Sequence, residues 1–408
     1  MSNVIGADSF LMDTKMKKKL LVTSFIVCLT ACNDKKDEST TAITPTNPGP
    51  TELATELDET LLKQIKKTMD LVEADKLWQG YDYKSVPQYF IRRENNNPVT
   101  AFVINPQSNI EHAIKLGDNE SHGLNVVQLE ESMINAVDKL KAGNDLYDYD
   151  FKIDGKEYYI QAYTKNSVDI KNPMITSAFS LAVHEVFHAY QGKNFKSPTH
   201  YEQLAFDKFD TYPLTDELVS LQLMLMELLK GFPEESITQP AAKEALKKYY
   251  VIINEMLKRD PTAHSGYKTG LIYKHGLGQE LFEGSALYID QMVSRKVLAI
   301  TSENKFIYSA PFKMDQAIDG YVPLTTKKDV IDYFAFNVFY YTGSSAIWLL
   351  QRAGYDIKNL EQGIYPFDAA KGYLALSEVE EINLLSELKL DARWPKAMVA
   401  AKRYNAID

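Results

Sequence analysis

Apolar residues recur every three or four positions over Glu52–Trp78, at Leu53, Leu57, Leu61, Ile65, Met69 and Val72. That period predicts an amphipathic helix. The pattern then changes. Gln88-Tyr89-Phe90-Ile91 and Ala101-Phe102-Val103-Ile104 are short apolar runs, predicted as strands on either side of the turn-forming Asn95-Asn96-Asn97-Pro98. Glu130–Lys141 has helical spacing. Phe151-Lys152-Ile153 and Tyr158-Tyr159-Ile160 flank Asp154-Gly155, a dipeptide that suits a tight hairpin. From Ile175 onward the helical period dominates, with helices expected near 176–192, 213–231, 240–259, 278–297, 328–353 and 375–404. No internal repeat is present. A sheet-containing part over 52–192, followed by a helical part over 193–408, predicts an α+β domain.

Composition refines this picture mainly at the N-terminus. With 408 residues, 45% hydrophobic and 25% charged, the chain has ample material for one large domain over 52–408. Lys17-Lys18-Lys19 precedes the apolar run Leu20–Leu29 and then Leu29-Thr30-Ala31-Cys32. The run is about half of the ~20 residues that span a bilayer, so 1–31 is expected to be an export signal. The tetrapeptide resembles the lipobox of bacterial lipoproteins, whose cysteine is acylated and becomes the mature N-terminus. Met16 stands where such signals begin, which makes 1–15 a candidate misassigned start. An ordinary cleavable signal with an incidental cysteine is the alternative. Residues 32–51 are polar and then rich in Thr and Pro, as an extended tether is. The expected location is the bacterial cell envelope, periplasmic or surface-facing, with membrane anchoring through Cys32.

Charge and cysteine usage exclude several chemistries. The net charge is −10, and the four Lys and two Asp of residues 1–31 leave −12 for the remainder. Such a chain repels phosphate backbones, so nucleic-acid binding is disfavoured. Cys28 and Cys32 are the only cysteines. A mature chain starting at Cys32 has no disulfide and no thiol nucleophile.

The apolar segment Phe179–Tyr190 contains His184-Glu185-Val186-Phe187-His188. Histidines four apart on a helix project from one face, where both imidazoles can bind one metal, with Glu185 directed toward a water on it. A catalytic zinc needs a third protein ligand. His112, His122, His200, His264 and His275 do not continue the motif at short spacing, so a carboxylate becomes the candidate. Glu283, in Glu280-Leu281-Phe282-Glu283-Gly284-Ser285-Ala286-Leu287-Tyr288, is the first choice, because small Gly284 and Ala286 would admit close approach to the histidine helix. Glu280, one turn earlier, is the runner-up. Asp290, on the same face as Glu283, is a candidate outer acceptor for a ligand histidine's N–H. His275 is either a second donor or a structural histidine. Ala101–Ile104 is a candidate sheet edge for pairing with an extended peptide.

His-Glu-x-x-His followed by Glu-Gly-x-Ala-x-Tyr resembles the gluzincin metallopeptidases, the thermolysin-like and aminopeptidase-like superfamily. The resemblance implies a zincin-like fold with the active-site helix in the N-terminal part. It also implies zinc held by His184, His188 and Glu283, with Glu185 as general base. Tyr340-Tyr341-Thr342-Gly343 resembles the aminopeptidase branch's Tyr-x-x-Gly stretch, which gives Tyr340 the role of oxyanion donor, with Tyr341 as a possible substitute. Two features depart from the family. His188 and Glu283 stand 95 positions apart, and no Gly-x-Met-Glu-Asn occurs. The implied activity is hydrolysis of a peptide or protein substrate, with internal cleavage more natural than aminopeptidase action. Competing readings are a non-catalytic surface lipoprotein that keeps the fold to bind a ligand or partner, and a serine hydrolase using Ser344 or Ser345. The second lacks a Gly-x-Ser-x-Gly elbow.

Overall fold

The computed structural model describes residues 54–95, 97–129, 133–134, 147–168, 177–232, 236–298, 313–314, 318–319 and 322–408. The expected signal and tether, with Cys32, lie outside the described residues, as does most of the helix expected at Glu130–Lys141. Thr51–Asp408 forms one compact unit of mixed α+β type.

Helix α1 (Glu56–Asp75) starts where Thr55 and Asp58 cap one another, the Thr55 N–H and hydroxyl both donating to Asp58 Oδ2 at 2.8 and 2.9 Å. Asp58 also receives Arg92 Nη1 at 2.6 Å and the Tyr163 hydroxyl at 2.6 Å. One buried carboxylate thus fixes the helix start to two strands. Removing a partner from such a buried pair costs about 3–5 kcal/mol.

The strands are β1 (Gln88–Glu94), β2 (Asn97–Ile104), β3 (Ile114–Lys115), β4 (Val126–Leu129), β5 (Tyr147–Ile153) and β6 (Lys156–Tyr163). They form one sheet in the order β3-β4-β2-β1-β6-β5, parallel only between β1 and β6. Both faces are buried, and the two-residue period divides the side chains between them. Phe90, Phe102, Ile104, Tyr159 and Tyr163 join the main core with the helices, while Tyr89, Ile91, Ala101, Val103 and Ile160 form a second cluster on the opposite face. The β5–β6 turn has the expected form, with Asp154 and Gly155 at φ 48° and 75°.

The expected substrate edge is not an edge. Ala101–Ile104 pairs with β1 on one side and with Val126–Leu129 on the other. The outer strands are β3 and β5.

The helical part comprises α2 (Ala178–Asn194), α3 (Asp216–Leu229), α4 (Gln239–Lys258), α5 (Leu277–Val297), α6 (Val338–Ala353), α7 (Pro366–Leu374), α8 (Glu378–Leu390) and α9 (Trp394–Asn405). Helix α2 starts at Ser177, whose hydroxyl accepts the Ser180 N–H at 3.1 Å, and Ala178–His188 is buried on every side. A helix enclosed all round belongs to the core. The single helix expected at 375–404 is instead two. The Ser377–Glu380 capping box starts α8, and Pro395 sits in the first turn of α9, where a missing N–H does least harm.

Two helical segments contain wide turns. Ile272–Gly276 and Tyr333–Asn337 are π-helical and lead directly into α5 and α6. One side chain joins them. His275, fully buried, donates from Nε2 to Ala335 O at 2.7 Å and accepts the Leu204 N–H on Nδ1 at 3.1 Å. Helices α5 and α6 then cross backbone to backbone, since a Cβ on Gly284 would lie 2.6 Å from Gly343 Cα.

Candidate metal centre

His184 and His188 occupy one face of α2, as their spacing requires, and Glu283 reaches them from α5. His188 Nε2 lies 3.2 Å from His184 Nε2 and 3.2 Å from Glu283 Oε2, and His184 Nε2 lies 3.7 Å from the same oxygen. A triangle with these sides has a circumradius of about 2.0 Å. A point about 2.1 Å from all three donors therefore exists about 0.7 Å off their plane, the relation that three ligands of a tetrahedral site have to their metal. Two imidazoles and one carboxylate, all buried, could hold a metal ion; among the described residues this is the group with that capacity.

The electrostatics agree with a shared charge. Burial raises the Glu283 carboxyl, but His188 and His184 beside it prevail and hold it far below the usual range. Burial likewise works against a charged His188, and Glu283 outweighs it, bringing that ring to about 9. A metal cation at the same point would compete for these lone pairs, so its binding releases protons.

Glu185 is fully buried between the two histidine positions. It lies toward the sheet. After burial, its charge is the next cause that raises the Tyr159 phenol on β6. The Tyr159 hydroxyl donates to Gln161 Oε1 at 2.5 Å, and Gln161 Nε2 donates to Ala178 O at 3.0 Å, so β6 is tied to the start of α2. Strand β5, paired with β6, is the sheet edge on this side. Tyr340 presents its ring nearly parallel to His184, with centroids 6.1 Å apart and planes 11° from parallel. Tyr341 beside it is half-buried.

Glu280 is not at the triangle. Its Oε1 accepts the Thr342 hydroxyl at 2.6 Å and its Oε2 accepts the Tyr249 hydroxyl at 2.5 Å, which ties α5 to α6 and α4. No cation pairs with it among the described residues. Burial pushes its carboxyl up to about 7, against the pull of the two hydroxyls. His275 has both ring nitrogens engaged in the backbone bonds between the wide turns, and burial lowers it to about 4. It is a structural histidine. Asp290 accepts from Ser180 Oγ at 2.5 Å and Ser294 Oγ at 2.8 Å, Ser180 standing one turn before His184. Ser344 is buried and donates to Gln291 Oε1 at 2.6 Å, and Ser345 is buried too. Neither is presented as a nucleophile.

The small residues after Glu283 act differently from expectation. Gly284 meets Gly343 of α6 rather than the histidine helix. Near Gly284 the contact with α2 is made by Ser285 and the Phe282 carbonyl through Gln191, a residue that sequence reasoning passed over. Gln191 Oε1 lies 2.6 Å from His188 Nδ1, and its Nε2 donates to Phe282 O and Ser285 Oγ, both at 2.7 Å. Its position three after His188, on the same helical face, was the available signal.

Comparison with protein-family models, curated proteins and solved structures finds no match to this chain.

Proposed function

We propose that the chain is a zinc-dependent hydrolase of gluzincin type on a zincin-like fold, and that it cleaves peptide bonds. The donor triangle of His184, His188 and Glu283, with buried Glu185 between the two histidines in sequence, is the observation that carries this reading. Catalytic zinc in peptidases commonly takes two imidazoles and one carboxylate with one position left open. A zinc ion held there supplies Lewis acidity and lowers the pKa of a water toward ~7. Glu185 takes a proton from the attacking water as its oxygen adds to the scissile carbonyl. It then returns that proton to the nitrogen as the C–N bond breaks. The Tyr340 hydroxyl donates to the oxygen that gains charge. An extended substrate pairs with β5, the outer strand on the Glu185 side, in place of the enclosed Ala101–Ile104. Acylation at Cys32 would anchor this domain to the cell envelope. No helix among the described residues is long and apolar enough to cross a membrane.

The test is metal analysis combined with a broad peptide-library cleavage assay on the wild type and Glu185→Gln. We expect one zinc per chain in both, with kcat lower by about 10²–10⁴-fold in the variant. Equal turnover would remove Glu185 from the mechanism. Zinc in both proteins with turnover in neither would favour the ligand-binding lipoprotein.

A further inference from the structure

Both N–H donors and the oxygen of the Gln191 amide are engaged. Phe282 O can only accept, so the amide nitrogen must face it and the amide oxygen must face His188 Nδ1. Nδ1 then carries the hydrogen, and Nε2, 3.2 Å from Glu283, keeps its lone pair in the neutral ring. The second amide hydrogen goes to Ser285 Oγ, whose own hydrogen goes to Leu281 O at 2.5 Å. A carbonyl on α5 therefore dictates the tautomer of a ligand on α2. Phe282 and Ser285 are also the residues on either side of Glu283 and Gly284, so the same amide holds the third ligand's helix in register with the first two. Gln191 is 3% exposed, which puts these bonds beyond competition from water.

We propose that Gln191 is a bridging residue that sets the metal-binding triangle by joining α2 to α5, beyond its contact with His188. The inference rests on the metal-centre reading above and deepens it. A partner that only oriented His188 would act through its oxygen alone, and a carboxylate there would strengthen the bond to Nδ1. A bridge needs the two N–H donors as well. The acidic replacement then sets a carboxylate oxygen against Phe282 O, and the helices lose this tie beside Glu283, while the Ser180–Asp290 bond remains.

The experiment measures zinc affinity of the full chain by competition with a chromophoric chelator, for wild type, Gln191→Glu, Gln191→Met, Ser285→Ala and Gln191→Met/Ser285→Ala. Circular dichroism confirms that each is folded. Partners of metal ligands typically contribute 10–100-fold in affinity. Gln191→Met should fall in that range, Gln191→Glu should lose about tenfold, and Ser285→Ala should lose a few-fold. Adding Ser285→Ala to Gln191→Met should cost nothing further. Gln191→Glu binding zinc as tightly as the wild type, or more tightly, would overturn the bridge. So would a Ser285→Ala loss that is the same with and without Gln191. If Gln191→Met does not fold, the Glu and Ala variants decide alone. Zinc binding reads the bridge whether or not peptides are cleaved. A wild type that binds no zinc sinks the metal centre itself, whereas unchanged variants beside a zinc-binding wild type sink only the bridge.

Discussion

Helices α2 and α5 both deliver side chains to the candidate metal centre, and they do so by opposite means. On α2 the two imidazoles are placed by one helical turn, a local relation that survives whatever the helix packs against. On α5 the single carboxylate is placed by the turn before the helix and by distant parts of the chain. These are a wide turn at Ile272–Gly276, a histidine staple to Ala335, a glycine crossing with α6 and an amide from Gln191. Local placement is cheap to encode and robust. Placement by packing needs several residues that have no contact with the metal, and substitutions at those residues act on the fold.

The largest expected effect breaks the local half. His184→Ala removes a ligand outright and should lower zinc affinity by more than the roughly 10–100-fold that an outer partner supplies, leaving metal content near zero by elemental analysis. Retention of one zinc per chain would show that the triangle is misassigned. Next comes Glu280, which belongs to the packed half. Its folded pKa of about 7 lies above the value of about 4.5 for the unfolded chain, so the folded state holds this proton more tightly. Its contribution therefore declines as pH rises from about 4.5 to 7 and is flat above, a change of about 3 kcal/mol. Glu280→Gln removes that titration. Urea unfolding at a series of pH values should show the variant gaining on the wild type by about 3 kcal/mol between pH 4 and pH 8. Parallel curves would mean that the carboxyl ionises normally. The third effect is steric. Gly284→Ala forces a methyl group against Gly343 and should cost about 2 kcal/mol, read as a lower urea midpoint. The smallest effect has the opposite sign. Gly192, on α2, has nothing within 4 Å of an added Cβ, so Gly192→Ala should raise stability by up to about 1 kcal/mol. Equal effects at the two glycines would erase the contrast between the helices.

The same contrast explains what was legible in the sequence. His184, Glu185 and His188 are readable because a helix period determines their geometry. Glu283 was identifiable as a carboxylate followed by small residues, yet the reason was only half right, since Gly284 serves the α5–α6 crossing and Ser285 meets α2. The pairing of β2 was not readable. Its outer neighbour β4 has four residues, too few to show a period, so the sequence alone leaves Ala101–Ile104 looking like an edge. The wide turns before α5 and α6 have no local signature, because they arise from how two helices meet. The helix break near Asp391 was readable in principle from Pro395, and apolar periodicity across the gap obscured it.

The glycine contact has one more consequence. Main chain meets main chain at this crossing, and the Glu280–Thr342 and Ser344–Gln291 hydrogen bonds flank it, so the two helices resist tilting and sliding apart. Glu283 and Tyr340 travel together on that pair, and thermal breathing cannot easily change the gap between them.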